Sequence, residues 1–585
     1  MRAAGRFPPL HSVWCRGCRG SLPPRVAQSK VHAAQSDSAV TRLVQRARSA
    51  PQFPLDISTE LVAEAGQFVV NGKCTPSETT LLIWATAKLG LAPAWLPKAL
   101  EAVLCAAEDA RFEDLALCAW AVSRLPLACR PTVGWWSTFW TVTSSQLDAM
   151  TPLTASQLSF ALSQGARPPK AWMTSCLKHT EHVLSQCTGG ELRQMLSGVS
   201  LAEDVPAEWM HAFWAAFSAS LQTLSPSECT AIMQSAARMR CTLDARLLDD
   251  VETFTEARLA QFTDSELTLF LRAIVKLGRT PDELFLDGIV ADARRRLSTM
   301  TLESMWLLLS CCAELRHQPS SSWLREFAAA ATPLLQSASA KELSRIAWAH
   351  AVLSVNPGQE FLLAFDARAL EVLHHFNRQG LANTCWALVV LSAYDCAALP
   401  RLWARLIEQM QSDAAAKLDW IQLAEVSRLA HQERPGLLAE LPAELARRAD
   451  SLWTAHAGGR NRSANHKFVS YLLKRFLQVP FESNKLCQRT GRNVDLALLP
   501  AEDLRIAVLV DGPALFTCNT WQQTGQAKLR DRALALAGWR VVVVPHFALE
   551  GVSRTTAGGG ANKAVEYLRR RLTDAVAPTL VNDTK

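Results

Sequence analysis

Eight prolines fall on one beat of about 38 residues along this chain, and an aromatic side chain follows each of them by two to four positions. The pairs are Pro93–Trp95, Pro131–Trp135, Pro168–Trp172, Pro206–Trp209, Pro281–Phe285, Pro319–Trp323, Pro357–Phe361 and Pro400–Trp403. Successive prolines lie 38, 37, 38, 75, 38, 38 and 43 residues apart, the 75 being one skipped beat. A repeat of this length is too short to bury its own apolar face. Stacking it on its neighbours creates a continuous core, so the beat predicts a helical repeat array.

A second landmark precedes each turn. Trp84, Trp120, Phe160, Met195, Ile232, Phe270, Trp306, Trp348 and Trp386 sit in apolar runs about 10 residues ahead of the proline position. The run Leu81–Leu89 is rich in helix formers and apolar all round, which predicts a buried helix A. Gly90 then supplies a stop, and Pro93 is expected to fix φ in the first turn of helix B, whose Trp95, Leu96, Leu100, Val103 and Leu104 share one face. Where the proline is missing, Leu243, Leu247 and Leu248 keep the pattern, giving about nine two-helix repeats over 71–415. The recurring aromatics are expected to be packing anchors. A read-out surface would instead use positions that vary in charge, such as Lys88, Ser163, Lys276 and Glu314, each five residues before the proline.

Charge is unevenly distributed along the 585 residues. Residues 1–50 carry nine Lys/Arg and one carboxylate, and residues 451–585 carry 19 Lys/Arg against 10 Asp/Glu, so the net charge of +7 leaves 51–450 at −10. No stretch approaches the ~18 consecutive apolar residues of a membrane span. The 16 cysteines lie mostly in apolar helical runs and read as small buried hydrophobes; Cys15–Cys18 is a lone CxxC without a second pair, and His374–His375 reads as a helix-surface pair. No cofactor is expected. The first acidic residue is Asp37, after six Lys/Arg among Ala, Ser, Pro and Gly, the pattern of an organellar transit peptide. The arginine bias points to the mitochondrion, with the chloroplast as the alternative.

Past residue 460 the pattern changes. Phe468–Leu473 reads as a helix, Val494–Leu498 and Ile506–Val510 as strands, and a helix carrying Lys528, Arg530 and Arg532 leads through Gly538 to the apolar strand Trp539–Pro545. Val-rich strands flanked by helices predict a small α/β module. The expected divisions are a transit peptide at 1–45, a linker or N-terminal cap at 46–70, the array at 71–415, a linker at 416–460 and the module at 461–575.

The stretch Ile506–Pro545, with Asp511-Gly512-Pro513, Phe516, Lys528-Leu529, Gly538-Trp539 and Val541–Val544, resembles a RAP domain, the module that ends many organellar RNA-processing factors. The repeats resemble octotricopeptide repeats and the helical region of the FASTK family. The resemblance implies an α-solenoid followed by a restriction-endonuclease-like α/β domain. It also implies an organellar RNA-binding protein acting in processing, stability or translation of transcripts, with single-stranded RNA and other RNA-processing proteins as partners.

On this reading Lys528, Arg530, Arg532 and Arg540 contact RNA phosphates, helped by Lys88 and Lys276 in the array. Two alternatives stay open. One is a Mg²⁺-dependent endonuclease using Asp495, Asp511 and Lys528, although Leu509 stands where such a site wants an acid and no lysine lies in Leu509-Val510-Asp511. The other is a scaffold whose acidic array holds a basic protein.

Overall fold

The computed structural model describes residues 38–49, 59–202, 204–411, 416–458, 463–501, 504–549 and 560–576. It is mostly helical, with a four-stranded sheet near the C-terminus. The chain divides into two compact units after Arg279. Most of the expected transit segment lies outside the described residues.

In the first unit the A helices Pro76–Leu89, Phe112–Arg124, Pro152–Ser163, Gly189–Val199, Pro226–Met239 and Asp264–Lys276 each lie against the next A helix in sequence. Neighbours on both sides explain why they are apolar all round: Leu82 through Ala87 are all buried. The B helices Leu96–Cys105, Val133–Thr143, Lys170–Glu181, Ala207–Ser220 and Ala245–Glu256 alternate with them. The proline-free Ala245–Glu256 keeps its place. Helical pairing starts before residue 71, because Ala39–Ser49 and Thr59–Val70 pair with each other and Ala39–Ser49 lies on the first A helix. That helix runs across the boundary expected at 45/46, and its Val40, Leu43 and Val44 are buried.

Seven of the eight beat prolines stand just outside helix B instead of in its first turn; Pro400 lies within the first turn of Ala398–Met410. Pro131 precedes the N-cap Thr132 and Pro168 precedes Pro169, while Pro206 is itself an N-cap. Their fixed φ turns the chain before the helix begins. Prolines at the first helical position occur on A helices, at Pro76, Pro152 and Pro226, and Pro97 lies in the first turn of the B helix Leu96–Cys105. The aromatics behind the beat are buried, and their indoles are satisfied. Trp135 Nε1 donates to Leu100 O at 2.9 Å, and Trp209 Nε1 donates to Thr180 Oγ1 at 2.9 Å.

A further period marks the A helices. Thr188–Glu191, Ser225–Glu228 and Thr263–Glu266 each form a reciprocal capping box. In the last, the Glu266 amide donates to Thr263 Oγ1 at 3.3 Å and the Thr263 amide to Glu266 Oε2 at 2.9 Å. Two orphan donors are satisfied at once, which fixes where each A helix starts.

The second unit continues with the A helices Leu302–Leu315, Ala340–Val352 and Arg378–Val390 and the B helices Glu283–Arg296, Ser321–Ala331, Gln359–Glu371 and Ala398–Met410. The segment 416–460, expected to be a linker, holds another helix pair, Lys417–Glu433 and Ala443–Gly458. Trp420, Leu423, Val426 and Leu429 bury its inner face, and Lys417–Glu433 lies on Arg378–Val390.

The C-terminal module opens with helix Ala464–Leu472, extended by a π turn over Leu473–Leu477. Strands β1 (Glu482–Cys487), β2 (Arg492–Leu498), β3 (Arg505–Asp511) and β4 (Trp539–Pro545) form a sheet in that order. The β1–β2 and β2–β3 pairs are antiparallel and β3–β4 is parallel, so helix Gly525–Leu536 makes the crossover. One face of the sheet buries Leu496, Ile506, Val508 and Val542 under Val469, Leu472 and Leu473 and under Leu568 of helix Gly560–Val576. The other buries Val494, Ala507 and Leu509 under Leu534.

Candidate functional site

The parallel pair β3–β4 ends in register at Asp511 and Pro545. In α/β folds the carboxyl end of such strands is where ligands collect. Gly512 and Pro513 turn the chain there, and helix Gly525–Leu536 brings Arg530 back over the strand end. Arg530 Nη1 and Nη2 donate to the two Asp511 oxygens at 2.6 and 2.7 Å, with side chains only 4% and 1% exposed. Arg530 Nη2 also reaches Asp531 Oδ1 at 2.6 Å, and Gln523 Nε2 donates to Asp531 Oδ2 at 2.8 Å. Burial disfavours the Arg530 charge, but the hydrogen bonds and charges of Asp511 and Asp531 outweigh it and hold the guanidinium protonated above its ordinary range. Burial pushes the Asp531 carboxyl up.

These contacts decide what Asp511 is free to do. Both its oxygens accept from Arg530, whose guanidinium charge beside them opposes the binding of a divalent ion. Asp495, the other expected carboxylate, accepts the Val510 amide at Oδ2 at 2.9 Å and so ties β2 to β3. Lys528 is exposed one turn from Arg532. Among the described residues, no group of three or more His, Cys, Asp or Glu is placed to hold a metal ion.

Arg532 faces the helical repeats of its own compact unit. Its Nη1 donates to Val390 O at 3.1 Å and Ser392 Oγ at 2.8 Å, its Nη2 to Val389 O at 2.5 Å, and its Nε lies 2.7 Å from Glu433 Oε1. The carbonyls at the end of helix Arg378–Val390 lack intrahelical partners, and a cation there also meets the negative end of the helix dipole. Arg540 does the same within the module, donating to Ala575 O at 2.6 Å and Val576 O at 3.2 Å.

The docking extends beyond Arg532. A Cβ on Gly525 would lie 1.8 Å from Ala351 O and 2.7 Å from Val390 Cγ1, so only glycine permits this approach. The Cys518 amide donates to Arg316 O at 2.8 Å, while Gln318 N and Asn519 Nδ2 donate to Asn519 Oδ1 and Gln318 O, both at 2.9 Å. Arg492 pairs with the buried Glu425, which also accepts from Trp386 Nε1 at 3.0 Å. The module therefore covers the C-terminal ends of helices Leu302–Leu315, Ala340–Val352 and Arg378–Val390, the edge that sequence patterning assigned to read-out.

The expected cationic cluster is thus split. Arg530 points to the strand end, Arg532 to the repeats and Arg540 to the last helix, and only Lys528 stays exposed. Lys88 and Lys276 occupy separate A helices of the first unit. Lys88 is partly covered with Nζ 5.3 Å from the Trp84 ring, and burial lowers its pKa; Lys276 is exposed in its helix's last turn. The docking residues Gly525, Glu425 and Glu433 carried no sequence signal of their own, because their partners lie far away along the chain.

No family model matches the chain. The chain is 30% identical over 118 residues to a RAP domain-containing protein, chloroplastic, of Oryza sativa subsp. japonica. The match covers 20% of this chain and 17% of that protein's length, and the likeness it supports is to the RAP-domain family.

Proposed function

We propose that this chain is an organellar RNA-binding factor acting in post-transcriptional processing, stability or translation of organelle transcripts. The helical repeats would select a single-stranded segment and the C-terminal module would clamp its backbone. One observation carries the reading: exposed cations outnumber exposed carboxylates on the module, the latter being Glu482, Glu566 and Asp574 among the described residues. Asp511 and Asp531 are neutralised internally by Arg530, while Lys467, Lys474, Arg475, Lys528, Arg569 and Arg570 are exposed. A surface of this kind neutralises phosphates and gives salt-dependent affinity without base choice. The exposed Lys276 is the array's matching contact, and Lys88 a weaker one because it is partly covered. Action is stoichiometric: bound RNA is masked or presented, not cut. The relative's plastid name and the basic amino-terminal segment support an organellar address, mitochondrial on the arginine bias. Ultraviolet crosslinking of the full chain in organelle extract should recover RNA; recovery no greater than an unrelated helical protein gives would end this reading.

The net charge of −10 over residues 51–450, which hold the array, favours a second reading, in which the repeats hold a basic protein and the module alone touches RNA. Peptide-level mapping of the crosslinks separates the two. Adducts in both regions support the first, and adducts confined to the module support the second.

A further inference from the structure

Helix Ala464–Leu472 and its π turn are sharply two-sided. Val469, Leu472 and Leu473 enter the sheet core, whereas Lys467, Tyr471, Lys474 and Arg475, at i, i+4, i+7 and i+8, form one exposed stripe. Phe476 lies five residues beyond Tyr471, and in regular α-helix only residues three and four apart are neighbours. The i→i+5 bonding of Leu473–Leu477 brings Phe476 alongside. The two rings meet edge to face, centroids 5.8 Å apart at 78°, and each residue is 42% exposed. The turn closes on Gln478, held at φ +52, a conformation that non-glycine residues rarely take.

Residues 463–479 carry Lys467, Lys474 and Arg475 and no carboxylate. Helix Gly560–Val576 lies against the same turn and adds exposed Lys563, Arg569, Arg570 and Arg571 against Glu566 and Asp574. Two rings presented to solvent within a net positive field match a ligand that offers flat apolar faces and regularly spaced negative charge. We propose that this face is a docking platform for single-stranded RNA, with bases stacking on Tyr471 and Phe476 and with Lys467, Lys474 and Arg475 on the flanking phosphates. The proposal rests on the RNA-binding reading above and locates it.

The test uses the full chain and a labelled oligo(U) strand, followed by fluorescence anisotropy across a salt series. Tyr471→Ala with Phe476→Ala should raise Kd by roughly 5- to 100-fold per base stack lost. Tyr471→Phe, which keeps the stacking face, should bind like the parent. Lys474→Gln with Arg475→Gln should flatten the slope of log K against log salt by about 1.4, at about 0.7 per single-strand phosphate contact. Because neither ring enters the sheet core, the thermal midpoint of the double alanine variant should fall by no more than a few degrees. If the parent binds oligo(U) and the double alanine variant binds it equally well, the platform is overturned and the RNA reading stands. If the parent binds no oligo(U), both fall. Parent retention on phosphatidylserine vesicles that depends on the same rings, without retention on RNA, overturns the proposal in favour of a membrane surface.

Discussion

Replacing Arg530 by glutamine removes the guanidinium that bridges Asp511 and Asp531. The fork it makes with Asp511 has contacts of 2.6 and 2.7 Å between side chains 4% and 1% exposed, so water screens it little. Deleting one partner of such a pair costs about 3–5 kcal/mol, chiefly because a buried charge is left uncompensated. The loss should be local to the module, so the assay is native-state hydrogen exchange of the β3 and β4 amides. At about 1.4 kcal/mol per tenfold, their opening should become on the order of 100- to several-thousand-fold more frequent. Combining Arg530→Met with Asp511→Leu and Asp531→Asn should recover most of that protection, since removing every charge of a buried cluster together is often neutral. RNA affinity of the folded Arg530→Gln chain should stay within about 2-fold of the parent, because the guanidinium reaches no surface. Unchanged exchange together with lost RNA binding would refute the assignment of Arg530 as a structural residue.

Gly525→Ala places a methyl against Ala351 O and Val390, so it should loosen the docked module by about 1–3 kcal/mol, read as faster proteolysis within 516–536 with the array's own protection unchanged. Thr263→Ala removes the acceptor for the Glu266 amide and should cost about 1 kcal/mol, measured by chemical denaturation of the full chain. His350 is buried, donates Nδ1 to Ile346 O at 2.9 Å, and is held by burial at a pKa of about 4 against an ordinary 6.5. The unfolded chain therefore takes up a proton that the native state refuses. His350's contribution is whole above pH 6.5 and is lost as pH falls towards 4, by up to about 3 kcal/mol. In His350→Leu, stability should vary less steeply across that window.

The repeats were legible because packing repeats itself. A buried Trp every 38 residues or so is a local mark of a local contact, and Trp172, Trp209 and Trp323 are where the beat puts them. The pairs Ala39–Ser49/Thr59–Val70 and Lys417–Glu433/Ala443–Gly458 escaped the beat because they lack its proline-aromatic mark while keeping the apolar stripe. The capping boxes at Thr188, Ser225 and Thr263 offered a second readable period, since Ser/Thr-x-x-Glu has a mechanism behind it. Strand β1 was not readable: Glu-Ser-Asn-Lys-Leu-Cys has low β propensity, and its side chains are mostly solvated.

The cationic cluster misled for a geometric reason. Lys528, Arg530 and Arg532 are close in sequence, but residues two apart on a helix do not share a face. Arg530 was therefore bound to point away from its neighbours. Whether it met water or Asp511 depended on a strand 19 residues away. Arg532 and Gly525 depended on Val389, Val390 and Ala351, more than 100 residues distant. The Tyr471–Phe476 pair was hidden for a related reason, since it exists only because the helix widens to i→i+5 there.

The central claim is that the outward cations and rings of the C-terminal module, and not its inward arginines, meet RNA. Crosslinking the full chain to single-stranded RNA and identifying the modified peptides tests it most directly. The account predicts adducts on the segment holding Tyr471, Lys474, Arg475 and Phe476 and on the exposed face around Lys528. Adducts concentrated on Arg530 and Asp511 instead would contradict it.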